Sequence, residues 1–140
     1  MTIKEIQKEI IEDFDLFEDW MQRYEFIIEE GKSLPRISDS NKTEDNLIKG
    51  CQSKVWLHAD YENGKLIFTA DSDAILTKGI ISLLLRVYNN QTPENILEVD
   101  PFFIDKIGLK EHLSPTRANG LLSMVKQIKL LALAHQSKNS

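Results

Sequence analysis

At 140 residues, with 41% hydrophobic and 28% charged residues, the chain has the size of one domain and enough apolar content for a core, which excludes general disorder. Its 22 acids against 17 bases, a net charge of −5, argue against a nucleic-acid binder and are compatible with a protein partner carrying a basic rim. One cysteine precludes an internal disulfide or a thiolate zinc site, and the longest apolar run, residues 80–85, is too short to span a bilayer.

Thr2-Ile3-Lys4-Glu5 fits a capping box, and Ile3, Ile6, Ile10, Phe14 and Phe17 then recur at helical spacing. A second helix carries Trp20, Tyr24, Ile27 and Ile28 and stops at Gly31, with either Asp13 or Asp15 as the break between the two or one kinked helix through both. Helical spacing assigns these aromatics to the core. Leu34-Pro35 leads into a polar surface loop, residues 38–45.

Three short strands are expected next, at residues 46–48, 53–61 and 65–70. Asn63-Gly64 forms the hairpin turn, since both residues tolerate positive φ. Trp56 belongs to the sheet core on this reading. Asp71-Ser72-Asp73 offers N-cap oxygens to a long helix through Ala74, Ile80, Leu84 and Val87 that ends near Asn89-Asn90. Capping accounts for these acids more simply than a metal does, because no third ligand follows at a fixed spacing.

Thr92-Pro93-Glu94 opens a short helix, another follows Asp100-Pro101 and stops at Gly108, and Ser114-Pro115 starts a last helix running to about His135. Ala118, Leu121, Val125, Ile128 and Ala132 form its apolar face. Gly120 costs helix stability there, which predicts the close approach of another backbone. The fold class is α+β: one domain over residues 1–140, core about 3–135 and polar tail 136–140, with a three-stranded antiparallel sheet packed two-layer against several helices. The opening residues lack a signal-peptide layout, so a cytoplasmic, reduced setting is expected.

The chemistry gathers at Cys51, after Gly50 and before an alternating apolar run. No carboxylate lies between Asp45 and Asp60, while Lys49 and Lys54 flank the thiol, a pattern that predicts a thiol more acidic than usual. Gly50 permits a positive φ or a close chain contact. From the residues alone, Cys51 is either a small core residue or an accessible nucleophile. His58, His112 and His135 are the only imidazoles, and none is spaced to pair with it locally. A cysteine hydrolase is therefore disfavoured, since no Asp or Asn is placed to orient such a partner. A sulfur carrier needs one accessible thiolate and no second thiol, because a resolving cysteine would discharge the cargo.

The segment Gly50-Cys51-Gln52-Ser53-Lys54-Val55-Trp56-Leu57 resembles the active-site segment of the SufE family of sulfur acceptors. The resemblance recurs in order at Ser72-Asp73-Ala74, at Lys78-Gly79 and from His112 to Leu121, and runs from about residue 3 to residue 135. It implies a SufE/IscU-like fold and Cys51 as the acceptor, within the loop Gly50, Gln52 and Ser53. That loop would shelter the thiol and open for transfer. Arg117 and Asp73 are candidates for loop support or partner contact.

The implied partners are a SufS-like cysteine desulfurase, which the protein would stimulate, and a SufBCD-like scaffold for iron–sulfur cluster assembly. No nucleic acid and no membrane are implied. Pyridoxal phosphate would belong to the desulfurase, and this chain would hold no cofactor and no metal, only a transient Cys51 persulfide. Its role would be that of a transpersulfidation partner rather than a stand-alone enzyme. Lys54 occupies a variable point of the motif and residues 38–45 find no specific match, which bears on the preferred desulfurase. The rival readings are a paralogous acceptor for a different desulfurase pathway and a non-catalytic desulfurase regulator.

Overall fold

The computed structural model describes residues 1–138. Its helices are α1 (Ile3–Asp15), α2 (Trp20–Glu30), α3 (Ile75–Tyr88), α4 (Pro93–Glu98), α5 (Phe103–Lys106) and α6 (Pro115–Lys138). The strands are β1 (Val55–Glu62) and β2 (Lys65–Ser72).

The two strands form an antiparallel hairpin in register from Val55 opposite Ser72 to Glu62 opposite Lys65. Asn63 and Gly64 turn it with φ of 52° and 81°, as the Asn-Gly pair predicts. Val55, Leu57, Leu66, Phe68 and Ala70 bury the inner face against the helices. The sheet has two strands, not the expected three. Residues 44–46 coil into a 3-10 turn, and Leu47 makes only a single bridge to Trp56. Pairing stops there because Gly50, at φ 91°, turns the chain away into a loop. On the other edge Arg36 bridges Ala70, so single bridges cover both sides of the hairpin.

Helix α3 lies at the centre of the helical layer, with Ile80, Ile81, Leu83, Leu84, Leu85, Val87 and Tyr88 buried. It approaches α2 at backbone contact: a Cβ on Gly79 would sit 2.0 Å from the Ile27 carbonyl oxygen. The capping box of α1 forms as its sequence requires, Thr2 Oγ1 accepting from Glu5 N at 3.1 Å and Glu5 Oε1 accepting from Thr2 N at 3.0 Å. The break between α1 and α2 falls later than Asp13 or Asp15. Asp19 caps α2, its Oδ1 accepting from Gln22 N at 2.9 Å, while Asp13 pairs with Arg86.

Gln7 is fully buried on α1, a position helical periodicity does not flag. Its amide donates to Asp100 O at 3.1 Å and accepts from Phe103 N at 3.0 Å, so α1 is pinned to the segment entering α5. Leu121, Met124, Ile128 and Ala132 form the buried face of α6, with Ala118 and Val125 partly covered. Helix α6 runs through residue 138, past the expected end at His135, so residues 136–138 are helix and not a free tail. Residues 139–140 lie outside the described residues.

Candidate functional site

Cys51 sits on a loop, residues 49–54, whose two ends are fixed by backbone hydrogen bonds. Ile48 N donates to Val55 O at 2.8 Å, extending the hairpin by one bond. At the far end Lys54 N donates to Asp73 Oδ1 at 3.1 Å and Asp73 N donates to Lys54 O at 3.3 Å. Asp73 therefore ties down the loop and does not cap α3 as expected. That helix starts at Ile75 after Ala74, which has no side-chain cap, while Ser72 Oγ accepts from Ala74 N at 3.2 Å in the turn before it.

The loop rests on α6. A Cβ on Gly50 would meet Ser123 Oγ at 2.6 Å, so the loop touches the helix at its own glycine. Cys51 Sγ is 3.6 Å from Gly120 O, with the S–H donating. A Cβ on Gly120 would stand 3.5 Å from that sulfur and 3.7 Å from Cys51 Cα. The close approach that Gly120 predicted is thus made by Cys51 itself.

The half-buried thiol belongs to two spaces. Outside the loop an open cleft of about 650 Å³ runs along residues 47–54, with Glu44 and Asp45 on its rim. Beneath the loop is a crevice of about 20 Å³. Cys51, Gln52 and Ser53 form its roof; Thr77 and Ile80 on α3 and Thr116, Arg117, Gly120 and Met124 on α6 complete it. The structure thus brings Gly50, Gln52, Ser53 and Arg117 together with Cys51, while Asp73 reaches the loop through Lys54. Arg117 is exposed, and its backbone N–H donates to Ser114 Oγ at 3.2 Å, the N-cap bond of α6.

Burial pushes the Cys51 thiol above its ordinary pKa, which reverses the expectation of an acidic thiol. Lys49 and Lys54 flank it in sequence but are exposed, where water screens their charges, so desolvation of the thiolate dominates. The histidines are engaged elsewhere. His58 Nε2 is 3.1 Å from Asp60, His112 stacks on Trp20 at 3.8 Å and His135 on Tyr61 at 5.8 Å. None lines the cleft or the crevice. Among the described residues there is no group of three or more metal-ligating side chains, and no helix is long and apolar enough to cross a membrane.

A second polar centre lies under the loop that precedes Cys51. Asp71 is buried at the end of β2 and receives Lys42 at 2.6 Å, Lys78 at 3.3 Å and Arg36 at 3.4 Å. Burial alone would raise its pKa. The Lys42 hydrogen bond, the Ser72 N–H, and the hydrogen bond and charge of Lys78 outweigh it and hold the carboxyl at about 2. Lys42 also lies 5.3 Å over the ring of Trp56, which is half-buried beneath it and not in the sheet core as expected.

Sequence reasoning missed Thr77 and Met124 as parts of the crevice, and Asp71 as a three-cation hub. Thr77 did carry a signal: it is a hydroxyl one turn before Ile80 on the apolar face of a predicted helix.

A family model described as SufE: Fe-S metabolism associated domain matches residues 8–132. An uncharacterized SufE-like protein of Rhizobium etli is 42% identical over 126 residues, covering 86% of this chain and 85% of its own. One of Synechocystis sp. is 39% identical over 127 residues, covering 91% of this chain and 80% of its own. The solution structure of a hypothetical protein from Thermus thermophilus matches with a TM-score of 0.78 at 25% identity, over 94% of this chain and 96% of that one. The tethered cysteine loop is thus carried by a chain that belongs to the SufE family, whose domain is associated with Fe–S metabolism.

Proposed function

We propose that this protein is a sulfur acceptor that takes persulfide sulfur from a cysteine desulfurase onto Cys51 and relays it toward iron–sulfur cluster assembly. The observation that carries the reading is the placement of the chain's only cysteine, on a loop fixed at both ends, between an open cleft and a crevice of about 20 Å³. The cleft gives a donor access to the thiol, and the crevice has room for about one water-sized group, close to what a single sulfur atom needs.

In the transfer, the Cys51 thiolate attacks the outer sulfur of the donor persulfide. A bond forms between Sγ and that sulfur, the donor's S–S bond breaks, and the donor leaves as its thiolate with the electron pair. The exchange needs no oxidant. Because burial favours the protonated thiol, deprotonation is part of the barrier, and loop opening into water lowers it. Arg117, on the crevice wall, offers the positive charge that an anionic sulfur requires. Closing the loop afterwards shields the persulfide from stray reductants.

The pyridoxal phosphate of this chemistry resides on a SufS-like desulfurase, the recipient is a SufBCD-like scaffold, and the setting is cytoplasmic. The family's association with Fe–S metabolism supports this sequence of partners. The test mixes the protein with a cysteine desulfurase and cysteine, then measures intact and peptide masses without reductant. A gain of one sulfur atom on the Cys51 peptide, absent in Cys51→Ser, is expected. Stimulated desulfurase turnover with no sulfur gained would replace this reading with a non-catalytic regulator.

A further inference from the structure

Five polar residues of the described chain are buried: Gln7, Asp71, Ser72, Thr77 and Ser82. Four of them use their side chains. Gln7 bonds Asp100 and Phe103, Asp71 holds its cations, Ser72 Oγ accepts from Ala74 N and Ser82 Oγ donates to Glu30 O at 2.8 Å. Thr77 is the exception. It is only 6% exposed, and its hydroxyl makes no hydrogen bond to any described residue. A hydroxyl on a helix ordinarily bonds back to the carbonyl four residues earlier, as Ser123 Oγ does to Asn119 O at 3.2 Å. The oxygen itself keeps some contact with solvent, since the one fully buried side-chain atom without a partner among the described residues is Arg23 Nε, so the hydroxyl stands as a free donor open to whatever enters beside it.

The place of Thr77 says what that is. It lines the crevice beneath Cys51, across from the loop. In the free protein the thiol satisfies itself by donating to Gly120 O and does not need Thr77. Adding a sulfur changes the inventory. The outer sulfur would lie about 2 Å beyond Sγ, and when anionic it is an acceptor with no proton of its own to donate. The crevice has a free donor and volume for about one such atom.

We propose that the Thr77 hydroxyl donates a hydrogen bond to the outer sulfur of the Cys51 persulfide and holds it in the crevice. This rests on the acceptor reading above and adds the residue that distinguishes the loaded protein from the empty one. Loading is the exchange already balanced: the thiolate displaces the donor thiolate from the outer sulfur, and no other reactant enters. The hydroxyl keeps its proton throughout.

The experiment loads wild-type protein, Thr77→Val and Thr77→Ser with glutathione persulfide, removes the donor, and adds dilute dithiothreitol. Intact mass then follows the fraction of Cys51 still carrying sulfur. Loss of a hydrogen bond to a charged acceptor is expected to speed decay of the persulfide about tenfold in Thr77→Val, with Thr77→Ser restored to near wild type. The alkylation rate of the unloaded thiol should stay unchanged, because the free thiol bonds Gly120 and not Thr77. Equal decay in wild type and Thr77→Val would overturn the proposal and leave the hydroxyl to a bound water. Decay in Thr77→Ser as fast as in Thr77→Val would overturn it too, since packing by the methyl group would then explain the effect. Should Thr77→Val fail to fold, Thr77→Ala removes the hydroxyl without adding a branch and is read in the same way. If wild-type protein takes up no sulfur, the acceptor reading itself falls, an outcome separate from any difference among the variants.

Discussion

Asp71→Asn removes one charge and almost no volume from the centre that holds Lys42, Lys78 and Arg36. The carboxyl titrates at about 2 in the folded protein against an ordinary 3.8. At about 1.4 kcal/mol per pH unit, that difference is worth roughly 2 kcal/mol of folding stability at neutral pH. The folded pKa is depressed, so the contribution is fully present above pH 3.8 and drains away as pH falls toward 2. Urea unfolding of wild type and Asp71→Asn, at pH 7 and at steps between pH 4 and pH 2, should show a gap of about 2 kcal/mol at pH 7 that closes as pH falls from about 4 to about 2. Hydrogen exchange at residues 39–42 should quicken in the variant, because Lys42 is the clip between this loop and β2. Equal stabilities at pH 7, or a gap that does not shrink with acid, would refute the electrostatic account of Asp71.

Three further outcomes follow from the site. Gly120→Ala adds a methyl at ordinary contact distance, 3.5 Å from Cys51 Sγ, so the unloaded protein should gain up to about 1 kcal/mol in helix propensity. The same methyl occupies the crevice, so sulfur loading by mass should fall; undiminished loading would place the outer sulfur elsewhere. Gly79→Ala drives a Cβ to 2.0 Å from the Ile27 carbonyl, and urea unfolding should register a loss of about 3 kcal/mol, with a loss near zero counting against the backbone contact of α2 and α3. The alkylation rate of Cys51 against pH should have its midpoint above the ordinary thiol value, since burial opposes the thiolate; a midpoint below that value would restore the lysines as the dominant influence.

What the amino-acid order made legible was mostly local. The capping box at Thr2, the Asn63-Gly64 turn, the Thr92-Pro93 start and the apolar face of α6 are short-range patterns, and each forms where its spacing puts it. Gly120 was legible for a related reason: a glycine in a helix is a local cost, and the cost pointed to a neighbour without naming it. The misreadings arose where partners come from distant segments. Asp71 and Asp73 both stand before a helix and both look like caps, yet one is claimed by cations from three other positions and the other by the backbone of Lys54. The acidity of Cys51 was misjudged because sequence counts neighbouring charges and cannot count the desolvation imposed by α6.

The two anchors of the cysteine loop also set how far its thiol can travel. Ile48 is bonded to Val55 and Lys54 to Asp73, so Cys51 is the third residue from either fixed point. Three fully extended residues span roughly 10 Å. While both anchors hold, the thiol is a short-armed receiver whose excursion ends near the mouth of its own cleft. On the proposed acceptor reading, a donor would then have to do most of the reaching, bringing its sulfur into the cleft, and the two surfaces would have to meet before either sulfur could find the other.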